Sequence, residues 1–154
     1  MVTFREATLE DVDALASLVT RLKRLNEEFD PLLKAREDSV EVARKYLKEA
    51  IESGKSIILV AEEAGKIFGI LKSDLIERCF YEPKLEGRII ELYIMPEFRR
   101  KGIGRQFIEE AVKKLREKGA QLITAEFPSL NKIAVNFYEK LGFRPVINIY
   151  AKEL

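Results

Sequence analysis

Apolar and polar positions along the chain change period several times, and each change marks an element. Residues 2–5 read as a short first strand. Thr8 begins a helix, with Asp11 three residues on as an imperfect capping-box partner. Leu15, Leu18, Val19, Leu22 and Leu25 then follow at the three-and-four spacing of one helical stripe. Residues 26–36 lose that period around Pro31 and predict an ordered loop or short helical turns. Ser39 is expected to cap a second helix carrying Val42, Ala43, Tyr46, Leu47 and Ile51, closed by Gly54.

Beyond Gly54 the period falls to two. Residues 56–62 predict a strand, Glu63-Ala64-Gly65-Lys66 a hairpin turn, and residues 67–72 its antiparallel neighbour. Residues 75–81 either extend that strand or bulge out of it, and residues 83–87 predict a second turn before a strand over 89–95. A long helix follows, with Ile103, Phe107, Ile108, Ala111, Val112 and Leu115 on one stripe, and it ends at Lys118-Gly119. Residues 121–127 predict a strand, 131–140 a shorter helix, and 143–152 a closing strand or strand pair. This order predicts a single α/β domain over residues 1–154, without the repeated crossovers of a doubly wound sheet.

Composition removes several chemistries. The chain has no histidine, so imidazole bases and His-containing metal sites are excluded. Cys79 is the only cysteine, which rules out an intrachain disulfide and a Cys-rich zinc site; it is expected to be a buried structural thiol. The 27 Lys and Arg nearly balance 26 Asp and Glu, which argues against nucleic acid as a general partner. With no long apolar run and no basic leader at the start, a soluble cytoplasmic protein without membrane partners is expected.

The candidate chemistry begins at Arg99-Arg100-Lys101-Gly102-Ile103-Gly104, between a predicted strand and a predicted helix. Glycines let backbone approach a ligand, and the unpaired N–H groups of a first helical turn attract anions. A nucleotide P-loop does not fit, because one residue separates the glycines and no Lys-Ser/Thr follows. A dinucleotide fingerprint does not fit either, since its third small residue would be Phe107. Arg99, Arg100, Lys101 and Arg105 crowd an end that prefers negative charge, which a bound polyphosphate would relieve; a solvated basic cluster or a nucleic-acid patch is the alternative.

The run Leu92-Tyr93-Ile94-Met95-Pro96-Glu97-Phe98-Arg99-Arg100-Lys101-Gly102-Ile103-Gly104 resembles the acetyl-CoA-binding segment of the GCN5-related N-acetyltransferases (GNAT), an Arg/Gln-x-x-Gly-x-Gly/Ala pattern after a strand and a proline. Asn131, Ala134, Tyr138, Gly142 and Phe143 fill a second pattern of that family, Asn-x-x-Ala-x-x-x-Tyr-x-x-x-Gly-Phe. The resemblance implies a mixed, mostly antiparallel splayed sheet flanked by helices. It implies acetyl-CoA as cosubstrate, its pyrophosphate held by backbone N–H groups from Arg100 to Arg105 and its pantetheine arm along Leu92 to Met95. Unpaired backbone groups near Ile94 would then meet the pantetheine and the thioester carbonyl. Tyr138 stands, by the same resemblance, near the coenzyme A sulfur as a proton or hydrogen-bond donor, or else is a packed helix aromatic. Asn131 caps its helix or touches the pantetheine.

Without histidine or a nucleophilic cysteine, direct attack by an amine on the thioester is the simplest route, and no metal is required. Neutralising an alkyl amine of ordinary pKa at pH 7 costs about 4.6 kcal/mol, work that a carboxylate shares. Glu91 is the candidate base, alternating onto the face of Tyr93 and Met95, away from Leu92 and Ile94; a structural carboxylate paired with a neighbouring cation is the equal alternative. The acceptor is expected to be a small-molecule amine or a peptide. Glu27, Glu28 and Asp30 form either an acidic attraction for a cationic amine or a solvated helix end. A noncatalytic coenzyme A-binding or nucleic-acid-associated module is the alternative function, and a homodimer through a sheet edge or the closing strand is plausible.

Overall fold

A computed structural model describes residues 1–99 and 102–154. Five strands form one sheet in the order β1 (Val2–Glu6), β2 (Ser56–Glu63), β3 (Lys66–Glu77), β4 (Leu85–Ile94) and β5 (Leu122–Ala125). The first four run antiparallel to their neighbours, and β5 lies parallel to β4. Four helices flank the sheet: α1 (Val12–Asn26), α2 (Ser39–Ser53), α3 (Ile103–Glu117) and α4 (Lys132–Lys140). The mixed, mostly antiparallel α/β architecture expected above is therefore present.

Strands β2 and β3 are buried over consecutive residues, because helices cover both faces of the sheet. On one face α1 and α2 send Lys23 and Tyr46 to Glu91 of β4. On the other, α3 packs so closely that a Cβ at Gly87 would lie 2.3 Å from a Leu115 methyl and one at Gly69 3.1 Å from the Phe107 ring. Phe68, Phe107, Leu15, Leu47, Leu59, Ile70 and Leu71 fill the core between these layers.

Local signals set most boundaries. The Thr8 amide donates to the Asp11 carboxylate at 2.8 Å, so the imperfect box does cap the entry to α1, through a 3-10 turn at Leu9–Asp11. Asp11 also receives a two-pronged contact from Arg5 at 2.8 and 3.0 Å, which ties this turn to β1. Residues 26–36 contain the short helical turn Pro31–Leu33, capped by Asp30. Left-handed backbone at Ala64 and Gly65 closes the β2–β3 hairpin.

Four expectations need correction. Asp38, not Ser39, occupies the N-cap position of α2; Ser39 is the first helical residue, and its hydroxyl donates to the Arg36 carbonyl. Strand β3 continues through the region left open to Glu77, and β4 already starts at Leu85, because residues 75–77 and 85–87 pair with each other. Strand β5 has four residues where seven were expected. Residues 143–154 form no strand: the segment has strand-forming side chains but meets no ladder partner in its own chain among the described residues. No helix among the described residues is long and apolar enough to cross a membrane.

Candidate active site

The site is organised by a defect in β4. Glu91 pairs with Lys72 and Ile89 with Ser73, so Ile90 has no opposite residue and β4 bulges there. Bulges bend a strand and increase its twist. Pairing with β5 stops at the same point: Ala125 is opposite Ile89, and the Glu126 amide makes the last contact, to the Ile89 carbonyl at 3.0 Å. Over residues 90–94 β4 keeps β3 on one side and has no strand on the other among the described residues. Beyond the bulge the expected alternation holds: Glu91, Tyr93 and Met95 are buried, while Leu92 and Ile94 are half-buried.

After a 3-10 turn at Pro96–Phe98, the chain enters α3 through Gly102, whose φ of 88° favours a residue without a Cβ. The Gln106 amide donates to the Gly102 carbonyl at 2.9 Å, and the amides of Ile103, Gly104 and Arg105, in the first turn of α3, have no helical acceptor among the described residues. The Ile103 side chain is buried in the core, so only its backbone is offered at this end. Of the four cations, Arg99 and Arg105 have partners. Arg99 Nε donates to the Ile94 carbonyl at 2.8 Å, and its guanidinium lies 5.4 Å from the Tyr93 ring centre. Arg105 pairs with Glu109 at 3.2 Å, and Arg100 and Lys101 lie outside the described residues. Near Ile94, where unpaired backbone groups were expected, the Ile94 carbonyl thus has one of its lone pairs engaged by Arg99.

The second motif packs onto the first. A Cβ at Gly104 would sit 2.9 Å from the Phe137 ring, so the second glycine is required by the close approach of α4 to the first turn of α3. Asn131 caps α4, its Oδ1 accepting from the Ala134 amide at 3.1 Å, which is the capping alternative of the two expected for it. Tyr138 stacks on Phe127 at 5.1 Å and meets Phe137 and Phe143 edge-on at 5.0 and 5.1 Å. Burial pushes its phenol well above the ordinary range, so the hydroxyl remains a donor at any working pH. No hydrogen bond occupies that hydroxyl among the described residues.

Glu91 is 1% exposed and faces the α1–α2 side. Lys23 Nζ reaches one carboxylate oxygen at 2.5 Å and the Tyr46 hydroxyl donates to the other at 2.8 Å. Burial first, then the Glu91 charge, pushes the Tyr46 phenol upward and keeps it protonated. These groups border a hollow of about 380 Å³ between α1, α2 and the loop joining them, with Val19, Leu33, Val42 and Ala43 as apolar wall. The Thr20 hydroxyl, buried without a hydrogen-bond partner among the described residues, borders the same hollow. Under the Tyr46 ring, at 4.5 Å from its centre, lies Lys72 Nζ, itself buried and paired with Asp74.

Tyr46 stands on the apolar stripe expected for α2, whereas Lys23 and Thr20 carry no periodic signal. The available signal was a phenol on a core-facing stripe, where a buried hydroxyl needs a partner. The acidic loop residues have local duties: Glu27 accepts from the Ala35 amide at 2.6 Å and Asp30 from the Leu32 amide at 2.9 Å. Cys79 is exposed, not buried, because β3 ends at Glu77 and leaves it in the turn that follows.

The model of the acetyltransferase (GNAT) family matches residues 20–143. An uncharacterized N-acetyltransferase of Methanocaldococcus jannaschii, MJ1207, is 28% identical over 92% of this chain, which spans 60% of that protein's length. Among solved structures, a mutant of the BH1408 protein from Bacillus halodurans matches with a TM-score of 0.84 at 23% identity, over 99% of both chains. A predicted acetyltransferase from Clostridium acetobutylicum, solved with acetyl-CoA, matches with a TM-score of 0.81 at 18% identity, over 99% of this chain and 96% of that one. The match to the family model covers both motif segments, the bulged strand between the two helical layers and the packing of α4 on α3: the chain belongs to the acetyltransferase (GNAT) family.

Proposed function

We propose that the chain transfers the acetyl group of acetyl-CoA to a primary amine of a small molecule or peptide by direct attack of the amine. The observation that carries this reading is the gap beside residues 90–94 of β4, flanked by the glycine-started α3 and by Tyr138 of α4. The acetyl-CoA named for the Clostridium structure, on the same fold, supports it.

Acetyl-CoA supplies an acyl group activated by a good leaving group. The amides of Ile103, Gly104 and Arg105 suit its diphosphate, together with Arg100, Lys101 and Gly102. The open edge of β4 at Leu92 to Ile94, with Tyr93, Met95 and Arg99 beneath it, suits the pantetheine arm, which would make amide hydrogen bonds where a strand is missing. Asn131 serves this site by starting α4, and through α4 it positions Tyr138. Tyr138 then directs its hydroxyl proton toward the departing thiolate.

Glu91 is assigned to the acceptor side. Its Lys23 partner is 40% exposed at the side chain and can be displaced, so an incoming ammonium group takes the same charge-assisted contact before giving up its proton. Tyr46 holds the carboxylate during that exchange. The hollow around Glu91 is mainly apolar and edged by Lys23, Lys34 and Arg36, which favours an amine carried on an apolar body over a polyamine.

A panel of amines and peptides, followed by release of free coenzyme A with the acetylated product confirmed by mass, tests the reading. Apolar primary amines are expected to be the better acceptors. Saturable acetyl-CoA binding without transfer to any acceptor would favour a noncatalytic coenzyme A-binding module, and absence of binding would defeat both readings.

A further inference from the structure

The hollow between α1 and α2 is unbalanced in charge. Among the described side chains that line it, Glu91 is the only carboxylate, against the cations Lys23, Lys34 and Arg36. Arg36 is already held by Asp38 at 2.9 Å, and the buried Lys72 beneath the Tyr46 ring is paired with Asp74. Glu126 acts on Tyr46 through its charge, yet it is exposed and lies outside the lining. The one cation on Glu91 among the described residues is therefore Lys23, at 2.5 Å.

An acceptor that brings only an ammonium group breaks this pair without replacing it. Its charge takes Glu91, and Lys23 is left beside a like charge, in a hollow that Lys34 already makes positive. A carboxylate next to the ammonium group removes the conflict. Inserted between Glu91 and Lys23, such a molecule completes a row of alternating sign: Glu91, ammonium, carboxylate, Lys23. Adjacent charges of this kind belong to an α-amino acid, whereas a peptide N-terminus has a neutral amide in the same place.

A second observation comes from Thr20, which stands one turn before Lys23 on the same face of α1. It is 4% exposed and borders the hollow, and its hydroxyl has no hydrogen-bond partner among the described residues. An unpaired buried hydroxyl is destabilising, and a carboxylate held by Lys23 has a second oxygen to accept from it. The remaining wall is apolar, and a volume of about 380 Å³ is near the lower end of small-molecule sites, roughly 300–1,000 Å³.

We propose that the acceptor is a free α-amino acid with an apolar side chain, its ammonium group on Glu91, its carboxylate between Lys23 and Thr20, and its side chain against Val19, Leu33, Val42 and Ala43. The proposal rests on the acetyl-transfer reading for the fate of the amine, and narrows it to one substrate class. The amine nitrogen bonds to the acetyl carbon as the carbon–sulfur bond breaks. Of the two protons that the ammonium group gives up, one passes to solvent through Glu91 and one is balanced by the proton that ends on the coenzyme A thiol.

Calorimetry on the full chain with coenzyme A present, and coenzyme A release from acetyl-CoA, test it with leucine and phenylalanine. The comparison compounds are their amides, the amines that lack the carboxylate (isoamylamine and phenethylamine), and peptides beginning with the same residues. Saturable binding of at least one of the two amino acids is expected, with kcat/KM at least about tenfold above each of its comparison compounds. The amides are the more readily neutral amines, so amine basicity alone predicts the opposite order. Lys23→Met should reduce the preference about tenfold and Lys23→Arg should retain most of it, while Thr20→Val should reduce it about threefold and raise the unfolding midpoint. Equal or better transfer to the amides, amines or peptides overturns the proposal and leaves the acetyl-transfer reading intact. Preferred binding of the amino acids without coenzyme A release upholds the site and defeats that reading, and neither binding nor transfer overturns the proposal. Should Lys23→Met fail to fold, the unaltered chain and Thr20→Val still decide.

Discussion

The two ends of the β4 bulge are built in different ways. Toward the α3 side, the groups suited to a donor molecule are largely backbone: three first-turn amides, the free edge of residues 90–94, and two glycines that shape the approach. Toward α1 and α2, the groups suited to an acceptor are side chains from three separate elements, Lys23, Tyr46 and Glu91, converging on one buried carboxylate. Backbone sites tolerate any side chain that permits the turn, so they persist as short motifs with fixed glycines. Convergent side-chain sites leave no local trace, since their members are 68 and 45 residues apart in the chain.

This contrast predicts separable failures. Gly104→Val should have the largest effect: the added carbons meet Phe137, α4 is displaced, and saturable acetyl-CoA binding is lost in calorimetry, with stability lowered by about 1–3 kcal/mol. Retention of full affinity would show that α4 packing does not shape the donor end. Tyr138→Phe should keep that affinity and lower kcat by about a hundredfold. Because burial raises its phenol, the unaltered enzyme should lose no rate through its ionisation up to about pH 10, the ordinary phenol value. An unchanged kcat in the variant with a saturating acceptor would leave Tyr138 as a packing residue only.

On the acceptor side, Glu91→Gln should leave acetyl-CoA binding intact, lower kcat/KM by about tenfold and remove the rise of rate toward alkaline pH. An unaltered pH–rate profile would make the carboxylate a structural partner of Lys23 and Tyr46. The smallest effect belongs to a pair outside both ends. The Arg5 guanidinium holds Asp11 below its ordinary value of 3.8, so the pair stabilises the fold above about pH 4 and is lost as the pH falls through the lowered value. Denaturant unfolding of Asp11→Asn should therefore show a weaker loss of stability between about pH 5 and pH 2 than the unaltered chain, with kcat unchanged.

Much of the fold was legible because its signals are local. The helical stripes, the Ala64-Gly65 hairpin and the glycines at 54 and 119 each encode a boundary within a few residues. The bulge at Ile90 was not legible, because nothing in Ile89-Ile90-Glu91 distinguishes an unpaired residue from a paired one. The closing strand at 143–152 was expected from propensity, yet a strand exists only where another strand offers its edge, and none does within the chain among the described residues. Cys79 was misplaced for a related reason, since burial depended on where β3 stops.

The sequence by itself determined the order of elements, the glycine-started helix after β4 and the Asn131–Phe143 segment, because turns, caps and amphipathic stripes are written over spans of three to seven residues. Only the tertiary structure decided that Gly104 and Phe137 touch, that Arg99 is engaged by the Ile94 carbonyl, and that Glu91 is held by Lys23 and Tyr46. Those contacts depend on how helices settle on a bulged sheet. That settling is a property of packing between distant segments, which no local period records.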